Sequence, residues 1–208
     1  MSRRLGVVLF PHFELLDVFG PLELFGHMQK QVDVVTVAQQ AGLVASAQRT
    51  RAAADHGFDD CPHLDLLLIP GGGGTRIEVD NPTLIEWLRQ RAGEAEIVMT
   101  VCTGAALLAR TGMLDGRRAT TNKRAFDWVT TQGPRVQWVP VARWVEDGNV
   151  ISSSGVSAGI DMTLAVIARL FGMKTAETMA TRIEYDWHRD ASWDPFAAVY
   201  GLGAGERE

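Results

Sequence analysis

Cysteine is scarce in this chain of 208 residues: there are two, Cys61 and Cys102. Two thiols cannot build the disulfide framework of a small secreted domain, and their surroundings differ too much for a pair to be expected. An excess of charge of one sign is also missing. Twenty basic residues against 25 acidic ones leave a formal charge of −5, which gives no electrostatic footprint for nucleic acid or an anionic membrane surface. Long apolar runs are absent, since stretches such as Leu66 to Pro70 fall far short of the ~20 residues needed to span a bilayer. Near the N-terminus Glu14 and Asp17 interrupt before a signal-type segment is complete, so a cytoplasmic protein is expected. The five histidines, His12, His27, His56, His63 and His188, lack metal-site spacing. Gly71 to Gly74 does not form the G-x-G-x-x-G that opens a dinucleotide-binding helix. No metal and no cofactor are therefore expected. The six tryptophans are not interleaved with a basic stripe, so they suit core and dimer contacts better than a base-stacking platform.

What is present is an ordinary globular composition, 46% hydrophobic and 22% charged, in a length that suits one domain. The pattern predicts a core from about residue 5 to 190 and a frayed tail over 201–208. Short apolar runs at Leu5 to Phe10, Gln31 to Ala38, Leu64 to Ile69 and Glu96 to Val101 read as strands, the first and third as buried strands of a parallel sheet. Helical spacing over Glu14 to Gly26 predicts a helix with Pro21 in or near a break. A peripheral hairpin is expected over 43–58, and a helix from Asn81-Pro82 to about Arg91. Ala105 to Arg110 is small and helix-forming. Further strands are expected at Arg118 to Thr121, Val136 to Val139, Ala142 to Val145 and Val150 to Ser153, with helices around Arg124 to Thr131, Ser157 to Phe171 and Thr175 to Trp187. Strands alternating with helices predict an α/β doubly wound sheet.

The strongest chemical signal is Val101-Cys102-Thr103-Gly104-Ala105 after an apolar strand. A nucleophile in a sharp strand-to-helix elbow projects above the sheet, and small neighbours allow close packing there. Amide N–H groups at the helix start favour thiolate over thiol, so a lowered Cys102 pKa is expected. Cys61, beside Pro62, has no elbow. The alternative for Cys102 is a buried structural cysteine. The second signal is Asp17 in Leu15-Leu16-Asp17-Val18-Phe19, an acid in an apolar stretch beyond the first strand, where open α/β sheets place their sites. Its alternative role is a local hydrogen bond at the Gly20-Pro21 bend. Glu184 and His188, four apart, read as a surface pair.

Five segments in order, L-L-D-V-F-G-P-L-E around Asp17, I-P-G-G at Gly71 and Gly72, V-C-T-G-A around Cys102, L-D-G-R-R-A-T-T, and S-S-G-V-S-A-G-I-D-M, resemble the ThiJ/PfpI superfamily from Leu5 to Phe171. The Asp with C-T-G at the elbow is most similar to the isocyanide hydratase branch and to the sensor domains of certain AraC-type regulators. The resemblance implies a homodimeric flavodoxin-like fold, mostly parallel, with helices on both faces. It implies a nucleophile matching Cys102, an acid matching Asp17, and anion-stabilising or substrate-binding amides near Gly71, Gly72 and Thr103. The activity it implies is hydration of an isocyanide to an N-substituted formamide, with a small molecule as substrate. Other branches carry His after the cysteine and a Glu acid, and many relatives carry His after A-T-T. Thr103, Asp17 and Asn122 stand there instead, so a histidine-assisted mechanism is not expected. A redox or ligand sensor acting through Cys102, and a small amidase or peptidase, are the other readings.

Overall fold

The structure is a computed structural model, and it describes residues 2–203. At its centre is a six-stranded sheet built on β1 (Arg3–Val8), β2 (Val32–Val37), β5 (Leu66–Ile69), β6 (Ile97–Thr100), β9 (Trp144–Asp147) and β10 (Val150–Ser153). Between β2 and β5 in sequence, β3 (Gly42–Ala45) and β4 (Arg51–Ala54) form the expected antiparallel hairpin apart from the sheet. The sheet order is β2-β1-β5-β6-β10-β9. All neighbours run parallel except β9, which turns back against β10. Without that edge strand the order is the flavodoxin-like one, with its switch point between β1 and β5. A ligand site is therefore expected at the C-terminal ends of β1, β5 and β6.

The pattern of burial explains the layers. Every residue of β5, β6 and β10 is buried. Helices must therefore cover both faces. On one face α1 (Leu15–Gly26) packs against α6 (Ala158–Phe171), which in turn meets α7 (Met173–Arg182). On the other, α4 (Gly104–Arg110) lies between α3 (Pro82–Glu94) and α5 (Phe126–Gln132). The start of α3 follows from its first residues: Asn81 Oδ1 accepts the amides of Thr83 and Leu84 at 3.2 and 3.3 Å, and Pro82 follows with no N–H to waste.

Several expectations change in three dimensions. α1 runs unbroken through Pro21. Proline there forgoes only the bond to the Asp17 carbonyl, and the buried face of the helix is held by packing on the core and on α6. The glycine run after β5 leads into α2 (Thr75–Glu78), a turn of helix the sequence pattern hides. β7 (Arg118–Ala119) and β8 (Gln137–Trp138) are two-residue strands paired with each other outside the main sheet. α7 stops at Arg182 rather than continuing to Trp187, because Glu184 takes φ 52° and turns the chain. That turn abolishes the helical pairing of Glu184 with His188: the His188 amide instead donates to buried Asp161 Oδ1 at 2.9 Å, and its ring lies 6.0 Å from Trp193. A last helix, α8 (Pro195–Val199), starts where Asp194 Oδ1 accepts the Phe196 amide at 2.9 Å. Of the tail expected to fray, Gly201–Gly203 form a turn and 204–208 lie outside the described residues.

Candidate active site

Cys102 sits between β6 and α4 with φ 57°, a left-handed conformation that costs a non-glycine residue about 1–2 kcal/mol. Two hydrogen bonds hold it there. The Cys102 amide donates to the Ser154 carbonyl at 3.0 Å, and Thr121 Oγ1 donates to the Cys102 carbonyl at 2.8 Å. The elbow expected from V-C-T-G-A is therefore present, and its side chain forms part of a cavity wall while remaining only 6% exposed.

Asp17, in the first turn of α1, is completely buried behind this wall. Its Oδ2 accepts the Gly71 amide at 2.8 Å, while Oδ1 has no protein donor among the described residues. Burial pushes the Asp17 carboxyl up to about 8, against opposing pulls from the Gly71 amide and the Cys102 thiol. Two segments distant in sequence meet here. Glycine at 71 is required for that meeting, since a Cβ would lie 2.5 Å from the Thr103 nitrogen and 2.9 Å from Cys102 Cβ. Gly72 turns the loop with φ 122°, and the Glu14 amide ties the start of α1 to the Gly71 carbonyl at 2.8 Å.

The electrostatics differ from the sequence-based expectation in sign. Burial raises the Cys102 thiol far above its ordinary range, and the charge of Asp17 adds to that. The amides of Thr103 and Val156 pull the other way but are outweighed. Enclosure thus defeats the helix-start effect, which is small for a seven-residue helix inside an apolar wall. Cys102 and Asp17 together therefore form one coupled unit that holds its protons at acidic pH and releases the first of them above neutrality. The peptide groups expected to stabilise an anion are distributed differently too. The Gly71 N–H is committed to Asp17 and the Gly72 N–H to Thr103 Oγ1 at 3.0 Å, leaving the Thr103 amide, joined by that of Val156, at the sulfur.

The cavity measures about 490 Å³. Beyond Cys102, Thr103 and Gly72 its wall includes Glu14, Arg76, Asn122, Lys123, Arg124, Phe196 and Tyr200. No histidine is among the wall residues; His12 lies on an exposed turn with φ 62°. Asn122, at the position where many relatives carry His, uses its Oδ1 to accept the Ala125 amide at 3.0 Å. Among the described residues no group of three His, Cys, Asp or Glu side chains is arranged to hold a metal ion. Sequence reading missed Val156, Arg76, Lys123, Arg124, Phe196 and Tyr200. Arg76, Phe196 and Tyr200 come from or border α2 and α8, which carry too few residues to show a period. Val156 owes its role to φ 42°, unusual for a β-branched residue and invisible in sequence.

Cys61, by contrast, is packed in a loop, donates to the Pro62 carbonyl at 3.4 Å, and borders no acid pair of this kind.

Comparison with known proteins agrees with this fold. The sequence profile of the DJ-1/PfpI family matches residues 3–169. The chain is 34% identical over 192 residues to an isonitrile hydratase of Pseudomonas putida, covering 89% of this chain and 79% of that protein. It is 29% identical over 180 residues to an HTH-type transcriptional regulator, CdhR, of Pseudomonas aeruginosa, covering 85% of this chain and 53% of the regulator. A crystal structure of a ThiJ/PfpI family protein from Pseudomonas syringae superposes with a TM-score of 0.83 at 27% identity, covering 99% of this chain and 80% of that one.

Proposed function

We propose that this chain, which belongs to the DJ-1/PfpI family, is a cysteine-dependent hydratase that converts an isocyanide into an N-substituted formamide. The observation that carries the reading is the buried pair itself: a thiol in a cavity wall, coupled to a buried carboxyl whose Oδ1 has no hydrogen-bond donor among the described residues. Similarity to an isonitrile hydratase over most of both chains supports it.

The chemistry follows from what the pair can exchange. In the form of the pair that has lost one proton, with sulfur as thiolate and Asp17 holding the remaining proton, Cys102 sulfur attacks the terminal isocyanide carbon, forming a C–S bond. The carbon becomes carbanion-like and takes the proton of Asp17, giving a thioimidate, R–N=CH–S–Cys102. Water then adds across C=N, its oxygen to carbon and a proton to nitrogen. Collapse of this adduct breaks the C–S bond, releases R–NH–CHO, and returns the hydroxyl proton to Asp17. The net change is addition of one water. The Thr103 and Val156 amides hold the sulfur as it gains charge before attack and again as it leaves.

The neighbouring readings fit less well. A sulfur this buried and this weakly acidic is a poor target for peroxide, since oxidation follows thiolate character and exposure. Amide hydrolysis needs a base and leaving-group acid beyond Asp17, and no histidine lines the cavity. The test is incubation of the purified protein with aryl and alkyl isocyanides and chromatographic detection of the formamide. Formamide is expected from the wild type and none above background from Cys102→Ser; turnover by Cys102→Ser at the wild-type rate sinks the reading. We also propose a homodimer, because Leu16 and Phe19 leave 41% and 44% of their surface exposed on α1.

A further inference from the structure

Charge is distributed unevenly around the cavity. The whole chain is acidic at −5, yet the wall of the site carries Arg76, Lys123 and Arg124 against a single acid, Glu14. Glu14 accepts from the neutral amide Nε2 of Gln48 at 2.5 Å and keeps its charge, so the wall holds three cations to one anion. Nine arginines elsewhere pair with carboxylates, as in Arg3 with Glu96, Arg135 with Asp115 and Arg169 with Glu146, while among the described residues Arg49, Arg51, Arg117, Arg118 and Arg182 form no such pair and do not line the cavity. Among the described residues neither Arg76 nor Arg124 makes such a pair.

Arg76 is held in place without being neutralised, its guanidinium lying 4.2 Å from the centroid of the Trp128 ring. Lys123 is buried, and its ammonium donates to two neutral acceptors, Thr120 Oγ1 at 2.8 Å and the Ala142 carbonyl at 2.5 Å. Burial lowers this lysine to about 8, with Asp194 opposing the fall and Arg143 adding to it, so most of the ammonium stays charged at neutral pH. Three cations around a concave site focus a positive field into it and leave donors in want of an acceptor.

We propose that the cavity selects electrophiles bearing a carboxylate and that the substrate, on the hydratase reading on which this rests, is an isocyanide carrying a carboxylate on its body. The isocyanide carbon meets Cys102, while the carboxylate turns to the rim where a planar guanidinium can receive it through two parallel N–H···O bonds. Phe196 and Tyr200 supply an apolar wall for the part between.

Two assays separate this inference from the reading beneath it. The first compares kcat/KM for 4-isocyanobenzoate and its neutral isostere 4-isocyanobenzamide. The second compares alkylation of Cys102 by iodoacetate and by iodoacetamide, normalised to the same ratio on glutathione, and needs no hydratase activity. We expect the wild type to favour the carboxylate member of each pair by tenfold or more at low salt. The preference should shrink with added salt, and Arg76→Gln and Arg124→Gln should each reduce it at least threefold. Equal rates within each pair, or a preference that neither variant changes, overturns the inference. If neither isocyanide is hydrated the hydratase reading fails, and the alkylation ratio alone then decides whether the cavity selects anions.

Discussion

At the scale of the residue, Asp17 shows how function works against stability. Burial lifts its carboxyl from 3.8 to about 8. Between those values the folded protein keeps a proton that the unfolded chain releases. Stability linked to Asp17 is therefore fully present below about 3.8 and is lost as pH rises through about 8. Asp17→Asn, which needs no proton to be neutral, is expected to melt at least about 4 °C higher than wild type at pH 8, with the difference vanishing near pH 4. Thermal melts across that range check it, and a variant less stable than wild type at pH 8 contradicts it. The same substitution should lower kcat/KM for an isocyanide at least about 100-fold, a loss typical of removing a positioned acid. Alkylation of Cys102 by iodoacetamide should be no slower, because the charge that opposes its ionisation is gone. That combination separates proton delivery from activation of the sulfur. In the wild type, turnover should fall on acidification with a limb near 8 set by the coupled pair, whereas a limb near the ordinary histidine value of about 6.5 points to another group.

At the scale of the element, α8 matters most because it is the least able to form alone. Five residues cannot sustain a helix in water, so its position depends on its attachments. Asp194 supplies two of them, capping the Phe196 amide through Oδ1 and lying 3.7 Å from Arg143 through Oδ2. Arg143 is itself bonded from Nε to Asp161 Oδ2 at 2.7 Å, so one buried network holds the segment around Asp194 against β9 and α6. Loss of a cap costs about 1 kcal/mol, which is about a fivefold change in the population of the ordered helix. Asp194→Ala is accordingly expected to raise KM about fivefold, with kcat within about threefold, since Phe196 and Tyr200 line the cavity but carry no group used in the proton transfers of the Cys102–Asp17 pair. Steady-state kinetics decides it: a collapse of kcat at unchanged KM means that α8 acts on the chemistry itself.

At the scale of the whole molecule, α1 is among the helices that leave large apolar side chains exposed. Leu16 and Phe19 are exposed on α1, the same helix whose buried face carries Asp17. A second copy on this face would bury them and brace the helix that presents the acid. Sedimentation should show a mass twice that of the chain, and Phe19→Arg should shift it to the monomer or weaken association at least about 100-fold, as a buried unpaired charge requires. A wild-type monomer, or a variant that still dimerises normally, removes α1 from the interface.

Much of this protein was legible locally. Period and turn chemistry marked the strands that became β1, β5, β6 and β10, because a strand covered on both faces is written as a short apolar run between breakers, and the valine-rich run of the edge strand β2 was legible from its β-branched composition. The elbow at Cys102 and the acid at Asp17 were visible for a related reason: a nucleophile between strand and small-residue helix, and a carboxyl in an apolar stretch, are both anomalies against their surroundings. Only the packed molecule decided the rest. Which amides reach the sulfur depended on Val156, more than fifty residues from Cys102 in the chain and brought close by the pairing of β6 with β10. The direction of the thiol shift was misjudged from sequence because desolvation is a property of everything that closes over a group, whereas a helix start is a property of its neighbours along the chain. The cationic rim could not be read either, since Arg76 comes from the loop side of β5 and Lys123 and Arg124 from the segment before α5, and no local rule relates the charges of segments that meet only across a sheet edge.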